Sequence, residues 1–239
     1  MTKLLYQTDS YVRSFKSRVA KVLEDEKAVV FEESAFYPGG GGQPHDTGTM
    51  KTSSIECIVL KVKKAGGEIL HYLDSVEGVN EGDEVLGQID WERRYSLMRT
   101  HTAMHILCAV VWRDYGAQVT GGNMEPLSAR MDFEFENLTK DIVGEIEQKV
   151  NEEIKSARRI NVSILEREEA FKIPDLIRTK INLLPEGITH VRTVEIEGLD
   201  IQADGGTHVM TTDEVGSMKI VDYKSKGKIN KRIYVQVQG

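Results

Sequence analysis

Hydrophobic and polar residues alternate in short runs along the first third of the chain, a period typical of half-buried strands. Turn-forming residues separate the runs, as at positions 25–27 (Asp-Glu-Lys) and 65–67 (Ala-Gly-Gly). The pattern predicts five strands, at residues 11–23, 28–33, 55–62, 68–73 and 84–89. Strands this closely spaced indicate a small β-barrel or a sandwich.

At Asp90 the period changes to that of a helix. Asp90 is a predicted N-cap for a helix at residues 91–115, and Gly116 is its predicted stop. Six residues share one face of this helix at spacings of three and four: Leu97, Met98, His101, Met104, His105 and Cys108. We therefore expect that face to point into a core.

The remainder of the chain mixes strands and helices. A second amphipathic helix is predicted at 139–157 and a short one at 167–172, with strands at 129–136, 160–166, 188–196, 216–221 and 229–237. The predicted fold class is α+β. We expect a small β-barrel-like domain at residues 1–90 and an α+β domain at residues 91–239.

The composition narrows the class of protein. Of 239 residues, 40% are hydrophobic and 29% are charged, as in ordinary soluble domains. No apolar run is long enough for a signal peptide or a membrane span, so we expect a cytoplasmic protein with no membrane partner. Cys57 and Cys108 are the only cysteines, which excludes a disulfide framework and a cysteine-rich zinc module.

The formal net charge of -7 argues against a protein that binds nucleic acid with its whole surface. Any such contact has to be a local basic patch, although charge runs are also typical of solvated faces. Three clusters qualify: Lys61, Lys63 and Lys64; Arg158 and Arg159; and Lys224, Lys226, Lys228, Lys231 and Arg232.

Two segments offer metal-ligand side chains. In His101-Thr-Ala-Met-His105 the imidazoles lie one helical turn apart on the same face, and in Asp204-Gly-Gly-Thr-His208 the glycines permit a sharp turn between a carboxylate and an imidazole. Together they supply three imidazoles and a carboxylate, a sufficient set for zinc. Each segment also has an ordinary interpretation, as a packed histidine pair and as a glycine turn with a surface histidine.

A third feature is the glycine run Tyr37-Pro-Gly-Gly-Gly-Gly-Gln43-Pro. It lacks the Gly-Lys-Ser/Thr of a phosphate loop and the spacing of a dinucleotide fingerprint. The run indicates either a loop whose exposed amides touch a ligand or the other domain, or a flexible hairpin connection.

Four motifs in order carry a family resemblance. They are Ser34-Ala-Phe-Tyr-Pro with the glycine run and Gln43, Arg99-Thr-His101-Thr-Ala-Met-His105, Arg130-Met-Asp132-Phe133, and Asp200-Ile-Gln-Ala-Asp204-Gly-Gly-Thr-His208. From about residue 10 to residue 237 the chain resembles the freestanding alanyl-tRNA editing proteins of the AlaX family. These proteins are similar to the editing domain of alanyl-tRNA synthetase.

The resemblance implies a fold, a reaction and a cofactor. It implies a barrel-like domain before an α+β editing domain, with the active cleft between them and zinc held by H-x-x-x-H and C-x-x-x-H motifs. The implied reaction is hydrolysis of the ester that joins a wrong amino acid, usually serine and in some cases glycine, to tRNA for alanine. tRNA is therefore the expected partner, and no protein partner follows from the sequence.

The resemblance also assigns residues. His101, His105 and His208 are the implied metal ligands, and the implied substrate-binding residues are Ser34, Gly40, Gly41, Gly42, Gln43 and Arg130. Ser34 stands where the family has a threonine that helps to recognise serine, and it keeps the hydroxyl. Its replacement is therefore expected to erode the preference for seryl over alanyl tRNA.

One departure concerns the fourth ligand, since Asp204 stands where the family has cysteine. Asp204 either ligates the metal, which widens metal choice beyond zinc, or orients a metal-bound water while three imidazoles hold the ion. We expect the first arrangement and count Asp204 with the three histidines as catalytic. Cys108 is a less favoured sulfur donor.

Two other functions fit parts of the pattern. One is a metal-dependent hydrolase of small esters or amides that uses the same ligands without RNA. The other is a catalytically degenerate tRNA-binding module in which loss of the cysteine marks loss of the metal.

Overall fold

The computed structural model describes residues 2–179 and 187–239, and the chain divides into two compact units, Met1–Tyr95 and Ser96–Gly239. The predicted α+β class is confirmed, because the first unit contains a closed β-barrel and the second combines sheets with helices. The expected domains at 1–90 and 91–239 stay a prediction, since the division between the units falls inside a helix.

Six strands of the first unit close the barrel in the order β2-β3-β7-β6-β5-β8, with antiparallel neighbours. Two further strands, β1 and β4, form a parallel pair. The strands are β1 (Lys3–Leu4), β2 (Ser14–Leu23), β3 (Ala28–Phe31), β4 (Glu33–Ser34), β5 (Gly48–Lys51), β6 (Glu56–Ala65), β7 (Glu68–Leu73) and β8 (Glu84–Ile89). Phe15, Phe31, Phe36 and Met50 are among the buried residues of its core.

The sequence pattern missed β5 because a glycine at the start of a run looks like a turn. In the barrel Gly48 is required by close packing, since a Cβ there would lie 2.1 Å from the carbonyl oxygen of Gln88 on β8. A strand glycine that marks a close backbone approach cannot be told from a turn glycine by periodicity.

The second unit contains a four-stranded antiparallel sheet, β14-β15-β10-β9, and a three-stranded sheet, β11-β12-β13. Its elements, with the helix that leads into it, are α1 (Trp91–Tyr115), β9 (Val119–Glu125), β10 (Ser128–Glu134), α2 (Lys140–Lys155), β11 (Ile160–Glu166), α3 (Arg167–Ala170), β12 (His190–Ile196), β13 (Asp200–Ala203), β14 (Ser217–Ser225) and β15 (Asn230–Gln238). Short 3-10 helices lie at Leu5–Gln7 and Thr212–Val215.

Helix α1 has the predicted bounds, and Asp90 caps it by accepting a hydrogen bond from the Arg93 amide at 3.2 Å. The predicted face is buried, and the other faces are buried too, because every residue from Leu97 to Val111 is buried. Small and apolar residues such as Ala103, Val110 and Val111 cover the other faces, so the helix runs through a core.

Strand β13 was also missed, since its four residues, Asp-Ile-Gln-Ala, show no clear alternation. It pairs with β12 and ends immediately before Asp204. No helix among the described residues combines the length and apolar character needed to cross a membrane.

Candidate metal centre

Helix α1 supplies the first two side chains of the site. His101 and His105 are four residues apart, so their rings lie one turn apart, with centroids separated by 4.9 Å and planes at 79°. Both residues are buried. The helix backbone satisfies its own hydrogen bonds at this point, which leaves the rings to interact with one another and with what they face.

The segment after β13 supplies the other two side chains. The Gly206 amide donates to Asp204 Oδ2 at 2.7 Å, which turns the chain back on itself. His208 then lies with Nε2 at 3.0 Å from the same oxygen, and its ring stacks on His101 with centroids 4.3 Å apart. All four predicted ligands therefore lie together.

The spacing of these groups fits a shared cation. Their ligand atoms all lie within 4.8 Å of one another. Asp204 Oδ1 is 3.6 Å from His101 Nε2 and 3.9 Å from His105 Nε2, too far for hydrogen bonds. Ligand atoms about 2.1 Å from a tetrahedral zinc ion stand about 3.4 Å from each other, so the donors are close to the spacing of such a set.

Electrostatics favour the same interpretation. Burial lowers the pKa of His101 well below its usual range and that of His208 to about 4, so both rings are neutral at pH 7. Burial opposes ionisation of Asp204, but His101 and the hydrogen bond from His208 outweigh it and hold the pKa of the carboxyl well below its usual range. Neutral imidazoles and a carboxylate are the forms that bind a metal.

Thr102, which contacts His208, was not identified from the sequence. Its Oγ1 lies 3.1 Å from His208 Nδ1 and accepts from the Val209 amide at 3.4 Å. With Nε2 of His208 donating to the carboxylate, Nδ1 accepts from the threonine hydroxyl. A metal on Nε2 would require the proton on Nδ1, and the same hydroxyl can accept it.

Arg192 on β12 is a second missed residue. Its Nη1 donates to the carbonyl oxygen of Asp204 at 2.9 Å and lies 3.7 Å from Oδ2. The Asp204 amide in turn donates to the carbonyl oxygen of Arg192 at 3.1 Å. No spacing in the sequence links these residues, because the contact depends on the pairing of β12 with β13.

Two other residues named from the sequence lie apart from the four ligands. Cys108 is not part of the cluster, and burial raises the pKa of its thiol to about 12. Arg130 lies on β10, 3.5 Å from the Asp132 carboxylate, to which Arg232 also donates at 2.7 Å and 2.8 Å. A substrate-binding role for Arg130 stays a prediction.

Ser34 is fully buried in the first unit. Its hydroxyl is 2.8 Å from His71 Nε2 and accepts from the Phe36 amide at 3.2 Å. His71 Nδ1 lies 3.3 Å from the Val29 carbonyl, which only accepts, so Nδ1 carries the proton and Nε2 accepts from Ser34. Burial lowers the pKa of His71 to about 3. The role of Ser34 in substrate recognition stays a prediction.

The glycine run forms a tight turn in the same unit. Gly39, Gly40, Gly41 and Gly42 all have positive φ, and Gly40 and Gln43 exchange backbone hydrogen bonds of 3.0 Å and 2.9 Å. Gly40 and Gly41 are exposed, whereas Gln43 is buried. Because other residues are strained at positive φ, this turn depends on glycine.

A buried ion pair holds the base of the turn. Arg94 and Asp46 are both fully buried and bonded to each other. Asp46 Oδ2 accepts from the Tyr37 amide at 2.6 Å, and Arg94 donates to the Ala35 carbonyl at 2.6 Å and to the Ser10 carbonyl at 2.9 Å. The pair therefore joins both ends of the glycine run.

Comparison with known proteins gives matches along the whole chain. Residues 6–93 match the family model described as tRNA synthetases class II (A), and residues 191–234 match threonyl and alanyl tRNA synthetase second additional domain. The alanyl-tRNA editing protein AlaX-M of Saccharolobus solfataricus is 42% identical over 240 residues, covering 100% of both chains.

Of two further relatives, one is similar in length to this chain and the other is much longer. AlaX-M of Methanosarcina barkeri is 40% identical over 239 residues and 98% of each chain. The alanine--tRNA ligase of Pyrobaculum neutrophilum is 36% identical over 226 residues, which are 92% of this chain and 25% of the ligase. The similarity to the ligase thus covers one segment of a much longer protein.

Proposed function

The chain belongs to the family of alanyl-tRNA editing proteins, and from that premise we propose that it hydrolyses the ester bond of mischarged tRNA for alanine. The convergence of His101, His105, Asp204 and His208 supports this proposal most directly. These are the residues that the family resemblance aligns with its metal ligands, with Asp204 in place of cysteine.

We propose that the four residues hold one zinc ion. The set of three nitrogens and one oxygen, the separations within 4.8 Å and the neutral imidazoles of His101 and His208 all suit that ion. When bound, the ion supplies Lewis acidity that polarises the ester or lowers the pKa of a water. Manganese or iron is a second candidate, since carboxylate is a harder donor than thiolate.

The contacts of Asp204 support the ligand role over a role in orienting water. Oδ2 already accepts from the Gly206 amide and His208, while Oδ1 faces His101 and His105 at 3.6 Å and 3.9 Å. Oδ1 is therefore the atom that faces the helix histidines. We propose that it takes the place of the thiolate.

For the amino acid removed, we propose serine, with glycine as a second substrate. A site that hydrogen-bonds a substrate hydroxyl rejects an analogue without it, because its own polar group would be left unpaired. Ser34 is the proposed partner. Its hydroxyl donates to His71 and accepts from Phe36, so one lone pair is left to accept from a seryl hydroxyl.

Other chain segments are proposed to hold the RNA end of the substrate. The exposed backbone of Gly40 and Gly41 and the adjacent Gly42 and Gln43 form a turn that a terminal nucleotide can approach closely. Arg130 is proposed to contact phosphate. These residues bind and orient, whereas the four ligand residues carry the chemistry.

The test compares Asp204→Ala and Asp204→Cys with the unchanged chain for metal content and for deacylation of seryl-tRNA for alanine. A ligand role predicts that Cys retains both and that Ala loses both. Normal metal content with lost turnover in Asp204→Ala would contradict ligation. Hydrolysis of free seryl esters as fast as seryl-tRNA would instead favour a small-ester hydrolase.

Ser34 is tested by selectivity. Ser34→Ala is expected to reduce the ratio of seryl to alanyl hydrolysis by about tenfold to a hundredfold, the effect of one lost hydrogen bond, while Ser34→Thr keeps the ratio. An unchanged ratio in Ser34→Ala would remove Ser34 from the specificity site.

A further inference from the structure

We propose that Arg192 is a positioning residue that makes Asp204 a one-atom metal ligand. The inference rests on the proposed metal site and adds a determinant of which metal the site prefers. It arises from the geometry around Asp204, where the two carboxylate oxygens have different surroundings.

A carboxylate differs from a thiolate in having two donor atoms. It binds metals through one oxygen or through both, and the two-oxygen mode suits ions that take more than four ligands. Zinc is usually four-coordinate in proteins, and a catalytic zinc reaches five ligands when it takes up water or substrate. A carboxylate that replaces a thiolate in such a site therefore has to be kept from offering its second oxygen.

The structure separates the two oxygens. Oδ2 has the Gly206 amide at 2.7 Å and Arg192 Nη1 at 3.7 Å, and Oδ1 faces His101 at 3.6 Å. His208 Nε2, at 3.0 Å from Oδ2, is the one contact of that oxygen that metal binding would remove. The amide and the guanidinium remain to retain Oδ2.

Arg192 also fixes the residue that carries the carboxylate. It donates to the Asp204 carbonyl at 2.9 Å, and its own carbonyl accepts from the Asp204 amide at 3.1 Å. Only 7% of its side chain is exposed. Both backbone groups of Asp204 thus bond to Arg192, the carbonyl to its buried guanidinium and the amide to its backbone, which restricts rotation of the carboxylate toward the histidines.

Loss of the guanidinium is expected to weaken the retention of Oδ2, because the Gly206 amide alone would then hold it. The carboxylate would then be able to offer both oxygens, which favours manganese relative to zinc. Changes to residues that orient metal ligands typically alter metal affinity by about tenfold to a hundredfold. We expect a change of that size in the ratio of zinc affinity to manganese affinity.

The experiment measures zinc and manganese dissociation constants by competition with an indicator chelator, and the visible spectrum of the cobalt-loaded protein. In Arg192→Gln the zinc-over-manganese ratio should fall by about tenfold or more, and the cobalt absorption should weaken as the coordination number rises. Arg192→Lys keeps the positive charge but lacks the planar guanidinium with its several donors, so it should change the zinc-over-manganese ratio less. Arg159→Gln removes the same charge from an exposed position and should change neither the metal ratio nor the cobalt absorption.

The most discriminating experiment repeats Arg192→Gln in the Asp204→Cys background, where the side chain at position 204 has a single donor atom for the metal. Here the metal ratio should change by less than about twofold, since there is no second oxygen to release. An equal loss in both backgrounds would indicate a merely structural arginine and would overturn the inference. If Arg192→Gln does not fold, Arg192→Lys in the two backgrounds provides the same comparison.

The outcomes separate this inference from the proposed function. A wild-type chain that binds no zinc would refute the proposed metal site itself. A wild-type chain that binds zinc and deacylates seryl-tRNA, with the same metal ratio in Arg192→Gln, would leave the site standing and refute the role of Arg192.

Discussion

Two buried polar clusters of this protein are built in opposite ways. In the first unit, Arg94 and Asp46 are bonded to each other, and each has further partners within 3.0 Å on the surrounding backbone. In the second unit, Asp204 lies 3.6 Å from His101 and 3.9 Å from His105, beyond hydrogen-bond distance.

The difference distinguishes a pair that satisfies itself within the fold from a group that we propose binds a ligand. A buried charge is tolerated when all its partners are supplied, as they are for Arg94 and Asp46. His208 hydrogen-bonds to Asp204 at 3.0 Å, but His101 and His105 converge on the carboxylate without bonding to it and so gain little from the fold alone. The four side chains have the arrangement expected of residues that could hold one cation.

The largest expected effect comes from breaking the satisfied cluster. Asp46→Ala leaves the Arg94 guanidinium buried without its carboxylate and should lower the free energy of unfolding by about 3 to 5 kcal/mol. Denaturant titration measures this free energy of unfolding. Glu33→Ala, which removes the exposed pair with Lys3, is the control and should cost less than about 1 kcal/mol. Equal losses would erase the contrast between the clusters.

Removing one ligand from the cluster of His101, His105, Asp204 and His208 should reduce the stability that the protein gains from zinc. Zinc at about 1,000 times its dissociation constant should raise the free energy of unfolding of the wild-type chain by about 4 kcal/mol. His208→Ala should lose most of that increment because a ligand is gone, and replacement of the exposed His190 by alanine should keep it. A zinc increment retained in His208→Ala would show that the ion binds elsewhere.

The buried imidazole of the first unit tests the same contrast through pH. The unfolded chain takes up a proton below pH 6.5, whereas folded His71 stays neutral down to about pH 3, so stability falls as the pH decreases through this window. Between pH 7 and pH 4.5 this group should remove about 2.5 kcal/mol.

Chemical denaturation of zinc-free protein at several pH values measures that loss. His71→Asn should have a shallower dependence by the same amount, and the difference between the two chains isolates this group from the other histidines. Parallel curves would mean that His71 titrates in the folded state as it does in the unfolded chain.

The smallest expected effect concerns the hydrogen bond between Thr102 and His208. Thr102→Val removes the hydroxyl that serves His208 Nδ1 and should weaken zinc binding by about tenfold, while Thr102→Ser should retain it. Competition with a chromophoric chelator measures the affinity. Equal affinities in Val and Ser would show that the ring is held by packing alone.

The periodicity of the sequence predicted part of the fold but not all of it. The sequence predicted helix α1 with its bounds and most of the longer strands, because their alternation is strong. It missed β5 and β9, in which glycines break the pattern, and β13, and it did not indicate that residues 97–111 of α1 are buried on the other faces as well. Burial on every side depends on neighbouring elements that a single segment does not encode.

The site shows the same limit. Spacing on a helix and around a glycine turn was enough to name His101, His105, Asp204 and His208, which the structure brings together. It was not enough to name Arg192, whose contact with Asp204 comes from strand pairing. Nor did spacing indicate that the hydroxyl of Ser34 bonds to His71 from another strand.

Removal and restoration of the metal would show whether His101, His105, Asp204 and His208 hold a catalytic ion. Deacylation of seryl-tRNA for alanine is followed in purified protein of known metal content, after removal of metal by a chelator and after zinc is restored. We predict about one zinc ion per chain, loss of hydrolysis on removal and its return with zinc. Full turnover by protein shown to be metal-free would mean that the hydrolysis does not depend on a metal.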